Sequence, residues 1–219
     1  MNSQGMLQSL DRDELDYQTM LGALREYASP RDKLADLRAK GLIVRAKKGL
    51  YVLGEPYRRR PVCRELLANL IYGPSYVSLD YALQAHGLIP ERVAEVTSVT
   101  TGRSRRFSTP FGVFSFRGIS SAAFAVGAAR HEVEGERAYL MATPEKALAD
   151  KLITERNGAP TSRSGLRRYL IEELRIEPEA LANLDQDRLA RIAQVTGSRA
   201  VRTLVKIVCR SSHKGVRHG

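Results

Sequence analysis

The stretch Ser29-Pro30-Arg31-Asp32-Lys33-Leu34-Ala35-Asp36-Leu37-Arg38-Ala39-Lys40-Gly41-Leu42-Ile43-Val44-Arg45-Ala46-Lys47-Lys48-Gly49-Leu50-Tyr51-Val52-Leu53-Gly54 decides the reading of this chain. Ser29 can cap the free amides of a first helical turn. Pro30 suits the first helical position, where an N–H has no intrahelical partner anyway, and Gly41 can close the helix in a left-handed conformation. Within the helix Leu34 and Leu37 share one side, while Arg31, Asp32, Ala35 and Ala39 lie towards the other, a face of short side chains able to approach a groove closely. After Gly41 the period becomes that of a hairpin, Leu42 to Arg45 and Leu50 to Leu53 about a turn Ala46-Lys47-Lys48-Gly49. A recognition helix followed by a basic hairpin is the expectation.

Charge supports it. From Arg31 to Arg60 there are ten Lys/Arg against three Asp/Glu, a local net of +7, enough to favour phosphate contacts. The candidate DNA contacts are Arg31, Lys33, Ala35, Arg38, Lys40, Arg45, Lys47 and Lys48, with Arg58, Arg59 and Arg60 as backbone clamps or a soluble hinge. The bland reading is a solvated helix-hairpin surface, and Asp32, which suits the helix dipole, repels phosphate.

Upstream, Asp16 reads as the cap of a helix carrying Tyr17, Met20, Leu21, Leu24 and Tyr27, with Leu15 and Met20 as a hydrophobic staple. This would be the first helix of a helix-turn-helix, bent at Ala28 and Ser29. A short helix around Met6 to Leu10 precedes it. Downstream, Gly54 to Pro61, with two prolines and three consecutive arginines, reads as a linker and domain boundary.

The remainder predicts helices over Val62 to Tyr72 and, capped by Ser78, Leu79 to His86. Strands follow over Val93 to Thr101, Arg105 to Ser108, Val113 to Arg117, Arg130 to Val133 and Arg137 to Met141, the last pair about a Gly135 turn. Thr143 and Pro144 open a helix to about Glu155. Three more helices are expected, over Leu166 to Leu174, Asp187 to Gln194 capped by Asp185, and Arg199 to Val208 capped by Ser198. Fold class is therefore α+β: a winged helix-turn-helix over 1–60, then a mixed domain over 61–219 with a small antiparallel sheet, a helical part from about 158 and a basic tail over 210–219.

At 219 residues with a formal charge of +11 and 43% hydrophobic residues, the chain has the composition of a folded protein with a polyanionic partner. No run has the apolar length of a membrane span, and Met1 to Asp16 shows no signal-peptide core, so a cytoplasmic location is expected. Cys63 and Cys209, far apart in apolar helical patterns, read as buried thiols. No cofactor or metal is expected: the four histidines lack ligand spacing, and no Gly-rich phosphate loop is present. No lysine has an acidic residue two positions before it, as a nuclease metal site would require. A nucleic-acid-processing enzyme is nonetheless the rival class, with Asp80, Glu91, Glu95, Glu145 and Asp150 as its only middle-region carboxylates. Arg103, Arg105 and Arg106 form a second candidate basic patch, with no acidic neighbour from Thr97 to Arg117; the plain alternative is an edge strand kept soluble by charge.

Several motifs occur in a specific order. Lys47-Lys48-Gly49-Leu50-Tyr51-Val52 ends the first unit. Gly73-Pro74-Ser75-Tyr76-Val77-Ser78-Leu79-Asp80-Tyr81-Ala82-Leu83, Gly87-Leu88-Ile89-Pro90 and Val96-Thr97-Ser98-Val99-Thr100 follow. Met141-Ala142-Thr143-Pro144-Glu145-Lys146-Ala147-Leu148-Ala149-Asp150-Lys151-Leu152 comes last. In this order, over most of Tyr17 to Leu152, the chain resembles the AbiEi family of antitoxins from type IV toxin-antitoxin systems. The resemblance implies an N-terminal winged helix-turn-helix that represses its own operon by binding double-stranded promoter DNA. It also implies a C-terminal domain that neutralises a nucleotidyltransferase-like toxin, directly or by opposing its product. A stand-alone regulator without a toxin partner differs only in genomic context.

Overall fold

Two structural units are built in chain order, and the computed structural model describes residues 3–134 and 137–212 of them. The first comprises α1 (Ser3–Gln8), β1 (Glu14–Asp16), α2 (Tyr17–Ala23), α3 (Pro30–Ala39), β2 (Ile43–Lys47) and β3 (Leu50–Leu53). Asp16 caps α2 as its position predicts, accepting from the Thr19 amide at 2.8 Å. The helix stops at Ala23, shorter than the apolar spacing to Tyr27 predicts, and successive turns carry the chain to α3. Ser29 differs from its predicted role: its hydroxyl makes no cap and donates to the Asp32 carboxylate instead. Gly41 closes α3 with φ +69°, its amide donating to Arg38 and that of Leu42 to Leu37, each at 3.0 Å.

β1 pairs antiparallel with β3, and β3 with β2, giving the order β1-β3-β2. Met6, Leu7, Leu15, Met20, Leu24, Leu34, Leu37, Ile43, Tyr51 and Leu53 form the small core of this unit. Gly54 follows β3 where two backbones nearly touch. Its amide donates to the Leu42 carbonyl at 2.8 Å, and a Cβ there would lie 2.2 Å from the Gly41 oxygen and 2.9 Å from that of Leu42. Gly54→Ala is therefore expected to cost about 1–3 kcal/mol by overpacking, read as a lowered urea midpoint; an unchanged midpoint would show that the two segments separate freely.

The second unit begins with α4 (Arg64–Ile71), β4 (Ser75–Val77), α5 (Leu79–Ala85), β5 (Val96–Thr100), β6 (Arg105–Thr109) and β7 (Gly112–Gly118). It continues with α6 (Ser121–Phe124), β8 (Ala128–Val133), β9 (Arg137–Ala142) and α7 (Pro144–Thr154). It ends with α8 (Arg163–Arg168), which runs into a π-helical turn over Tyr169–Glu173, then α9 (Pro178–Ala182), α10 (Gln186–Thr196) and α11 (Arg199–Ser212). The chain is thus α+β with a small antiparallel sheet, a larger sheet and C-terminal helices. The predicted β6–β7 and β8–β9 hairpins are present, and the larger sheet has the order β6-β7-β5-β4-β9-β8. Its hairpins are joined by two parallel pairings, β5 with β7 and β4 with β9. Consequently the turn at Gly102 does not make β5 and β6 neighbours, because β7 lies between them. The Gly135 turn and residues 213–219 of the basic tail lie outside the described residues; α11 includes Arg210 to Ser212.

The two units share a core. Ala46, Leu50 and Val52 of the first hairpin pack among Leu67, Ala68, Ile71 and the apolar residues of the larger sheet. All four residues of β3 are buried: Tyr51 and Leu53 in the small core, Leu50 and Val52 in the large one. An ion pair of 2.9 Å between Glu14 on β1 and Arg137 on β9, both nearly sealed from solvent, adds a second tie. The linker is tied as well, the Arg59 amide donating to Asp13 at 3.2 Å and its guanidinium to the Gln8 carbonyl. Among the described residues no helix is long and apolar enough to cross a membrane.

Candidate nucleic-acid interface

The buried Leu34 and Leu37 fix which side of α3 meets the core, so Arg31, Ala35, Arg38 and Ala39 face solvent. Gly41 then reverses the chain so that β2 runs on beside that exposed face. Arg45 is exposed on β2, and Lys48 stands at the tip of a two-residue turn where Gly49 adopts φ +87°. Ala35, Arg38 and Ala39, with Arg45 and Lys48, form one wall of an open cleft of about 1100 Å³. The opposite wall is β6 and its turn, from Arg106 to Pro110, and no Asp or Glu lines the cleft. Arg38, Arg45 and Lys48 thus present positive charge beside short side chains, the combination that admits a phosphate backbone.

The remaining predicted contacts are distributed differently. Lys33 and Lys40 both bind the Asp36 carboxylate, at 3.1 and 2.9 Å, and Lys40 followed by Lys33 holds that carboxyl below its usual range. Lys33 also lies 5.3 Å from the Tyr27 ring centroid. Arg31 stands exposed at the start of α3, outside the cleft lining. Lys47 is a correction to the reading of a two-lysine tip. The register shifts between Arg45 and Lys47, and the Lys47 ammonium turns inward to donate to the Ile71 carbonyl at the C-terminus of α4, where the helix dipole favours a cation. Burial pushes its pKa down. Arg58, Arg59 and Arg60 do not line the cleft, and Arg59 is tied to Asp13 and to the last residue of α1.

The second patch is also altered. Arg106 makes a two-point ion pair with Glu95 at 3.3 and 3.0 Å, a partner just outside the acid-free stretch, and this bond holds the Glu95 carboxyl low. Arg105 lies 5.6 Å over the Tyr72 ring centroid, and Arg103 is exposed. The sequence reading missed the role of β6 as the facing wall. Its only local signal was the basic Arg105-Arg106 pair, and it is the parallel β5–β7 pairing that leaves β6 at the sheet edge.

The five carboxylates of the enzyme reading are each engaged. Asp80 pairs with Lys151 at 3.0 Å, Glu91 with Arg175, Glu95 with Arg106, and Glu145 with Arg188 at 3.2 Å. Asp150 pairs with Lys146. Ser78 donates to Asp150 at 2.8 Å rather than capping α5. Asp80, Glu91 and Glu95 line one open pocket beside Val93 and Leu174, each with its own ion-pair partner, while Glu145 and Asp150 lie outside it. Among the described residues no group of three His, Cys, Asp or Glu is arranged to hold a metal ion. His86 hydrogen-bonds the Ala142 carbonyl at 2.8 Å, and His131 stacks on Tyr139. Both thiols are half-buried rather than fully buried.

No protein-family model matches the chain, and no curated protein matches it significantly.

Proposed function

We propose that this chain is a cytoplasmic DNA-binding repressor of its own operon, of the AbiEi kind, and the antitoxin to a nucleotidyltransferase-like toxin. The observation that carries the DNA-binding part is the carboxylate-free wall formed by Arg38, Arg45 and Lys48 beside Ala35 and Ala39. The order helix, strand, helix, helix and hairpin, with β1 beside β3 in the sheet, supports a winged helix-turn-helix reading in which α3 would be the recognition helix and β2–β3 the wing. The antitoxin part rests on the order of motifs between Tyr17 and Leu152. The enzyme alternative gains no support from carboxylates that are each held in ion pairs.

The test is a titration of labelled promoter duplex at several salt concentrations. Affinity should fall steeply with salt. Lys48→Ala should lower the slope of log affinity against log salt by about 0.9, the value of one phosphate contact, for promoter and unrelated duplex alike. Lys47→Ala should leave that slope unchanged, since its ammonium is committed to Ile71. Affinity insensitive to salt would remove the electrostatic premise.

A further inference from the structure

The larger sheet ends in a strand with one open edge. β8 is last in the order β6-β7-β5-β4-β9-β8, and among the described residues its strand partner is β9. The phase of that pairing fixes which backbone groups of β8 look outward. Leu140 of β9 exchanges hydrogen bonds with the Asn69 side chain, its amide donating to Oδ1 at 2.7 Å and its carbonyl accepting from Nδ2 at 3.4 Å, so its backbone groups turn away from β8. Arg130, the residue opposite Leu140, therefore sits in a non-hydrogen-bonded pair, and the N–H and C=O groups of Ala128, Arg130 and Glu132 point out of the sheet. The Thr143 amide, which donates to the Gly127 carbonyl at 2.9 Å, gives the same phase at the start of the strand.

Open edges are usually blunted by lysine, proline or a bulge. β8 has no lysine or proline over Ala128–Val133, and its register with β9 is unbroken. Arg130 and Glu132 are exposed on one face of the strand and pair with each other. Leu140, opposite Arg130, shares that face, and Leu70 of α4 lines a pocket with Arg130 and Ala138. Leu70 and Leu140 are two of the three large hydrophobic side chains that stand exposed among the described residues, and exposed apolar surface beside charged groups is characteristic of an interaction site.

We infer that this edge joins two copies of the chain into a two-fold dimer, β8 pairing antiparallel with β8 of the second copy. Parity and charge fix the register. Outward-facing groups meet only if residues of the set Ala128, Arg130 and Glu132 oppose one another. With Arg130 or Glu132 on the two-fold axis, a charge would lie directly opposite its own copy, which is destabilising. With His131 on the axis, Arg130 of each copy lies opposite Glu132 of the other, so that two complementary charge pairs form together with the backbone bonds. His131 itself points to the opposite face of the sheet from these charges, where its ring stacks on Tyr139. The contact is isologous and closes on itself, as a two-fold dimer requires. No residue of this edge lines the cleft.

The experiment is sedimentation equilibrium of the full chain from about 1 to 100 μM, the range in which a micromolar Kd is read. The mass of the parent should rise from 24.3 kDa towards twice that value. Arg130→Glu and Glu132→Arg should each raise the dimer Kd at least about tenfold, because two favourable cross-strand pairs become two repulsive ones. An equimolar mixture of the two variants should return to the parent Kd, since each then supplies the charges the other lacks. Glu132→Pro removes an outward N–H without removing a bond to β9, so it should be monomeric with an unchanged melting temperature; if it does not fold, the charge variants decide alone. A parent that stays monomeric throughout overturns the inference and leaves the edge to a strand of a different protein. Single charge variants that dimerise as the parent does, or a mixture that remains monomeric, overturn it as well.

Discussion

Asp150→Ala should lower the stability of the protein by about 3–5 kcal/mol, the cost of leaving a buried charge without its partner. For a chain of this length that corresponds to a fall in melting temperature of roughly 6–20 °C, at about 2–4 °C per kcal/mol. The expectation comes from α7, whose apolar spacing predicts Ala147, Leu148, Leu152 and Ile153 as its inward side. The helix is buried further round, and Lys146 and Asp150 are both fully sealed from solvent. Their ion pair is completed by Ser78 and by the Tyr76 hydroxyl, which donates to the same carboxylate oxygen at 3.2 Å, and the ammonium lies 5.9 Å from the Tyr76 ring centroid. Alanine at 150 removes the counter-charge and the acceptor of two buried hydroxyls together. The double variant Lys146→Met/Asp150→Leu should recover the part of the loss that comes from the unpaired charge, but not the part that comes from leaving the Tyr76 and Ser78 hydroxyls without an acceptor. Calorimetry of the three proteins decides it: a single variant that melts like the parent would mean that water reaches Lys146.

The second large effect concerns binding. Arg38→Glu/Arg45→Glu should weaken association with promoter duplex roughly a hundredfold or more at 0.1 M salt, since loss of two phosphate contacts alone changes the slope by about 1.8 and reversal adds repulsion. Both residues are exposed, so circular dichroism should show an unchanged fold. Lys33→Ala is the informative companion. Its ammonium already binds Asp36, so its removal should change affinity little. Full retention of affinity by the double glutamate variant would take the duplex away from this wall.

The parts legible in the sequence were those governed by local chemistry. Pro30 and Gly41 bound α3, Thr143 and Pro144 open α7, and Asp185 caps α10 because each acts within a few residues of itself. What escaped depends on distance. β1 is three residues long and exists because β3 is there to pair with it. The two parallel pairings join strands whose partners lie beyond the next turn or helix, and no alternation within a strand encodes that choice. The same holds in the candidate site. Arg106 finds Glu95 eleven residues away, and Lys47 and Lys48, identical in type and adjacent, diverge because one backbone irregularity turns the first towards Ile71. Counting charges along the stretch therefore overstates what the cleft offers, since Lys33, Lys40, Lys47, Arg59 and Arg106 are already engaged with protein groups.

β3 has no solvent side. One of its faces completes the packing under α3, and the other fills the core beneath α4 and the larger sheet. A strand held on both faces transmits what happens on either, because any free energy with which a ligand favours one position of the hairpin must equally be felt by whatever engages the sheet behind it. The hairpin is in that sense a shared lever. Any ligand that moved the hairpin from the cleft side would change the affinity of whatever engages the sheet behind Leu50 to Leu53, and by linkage the reverse would hold by the same factor.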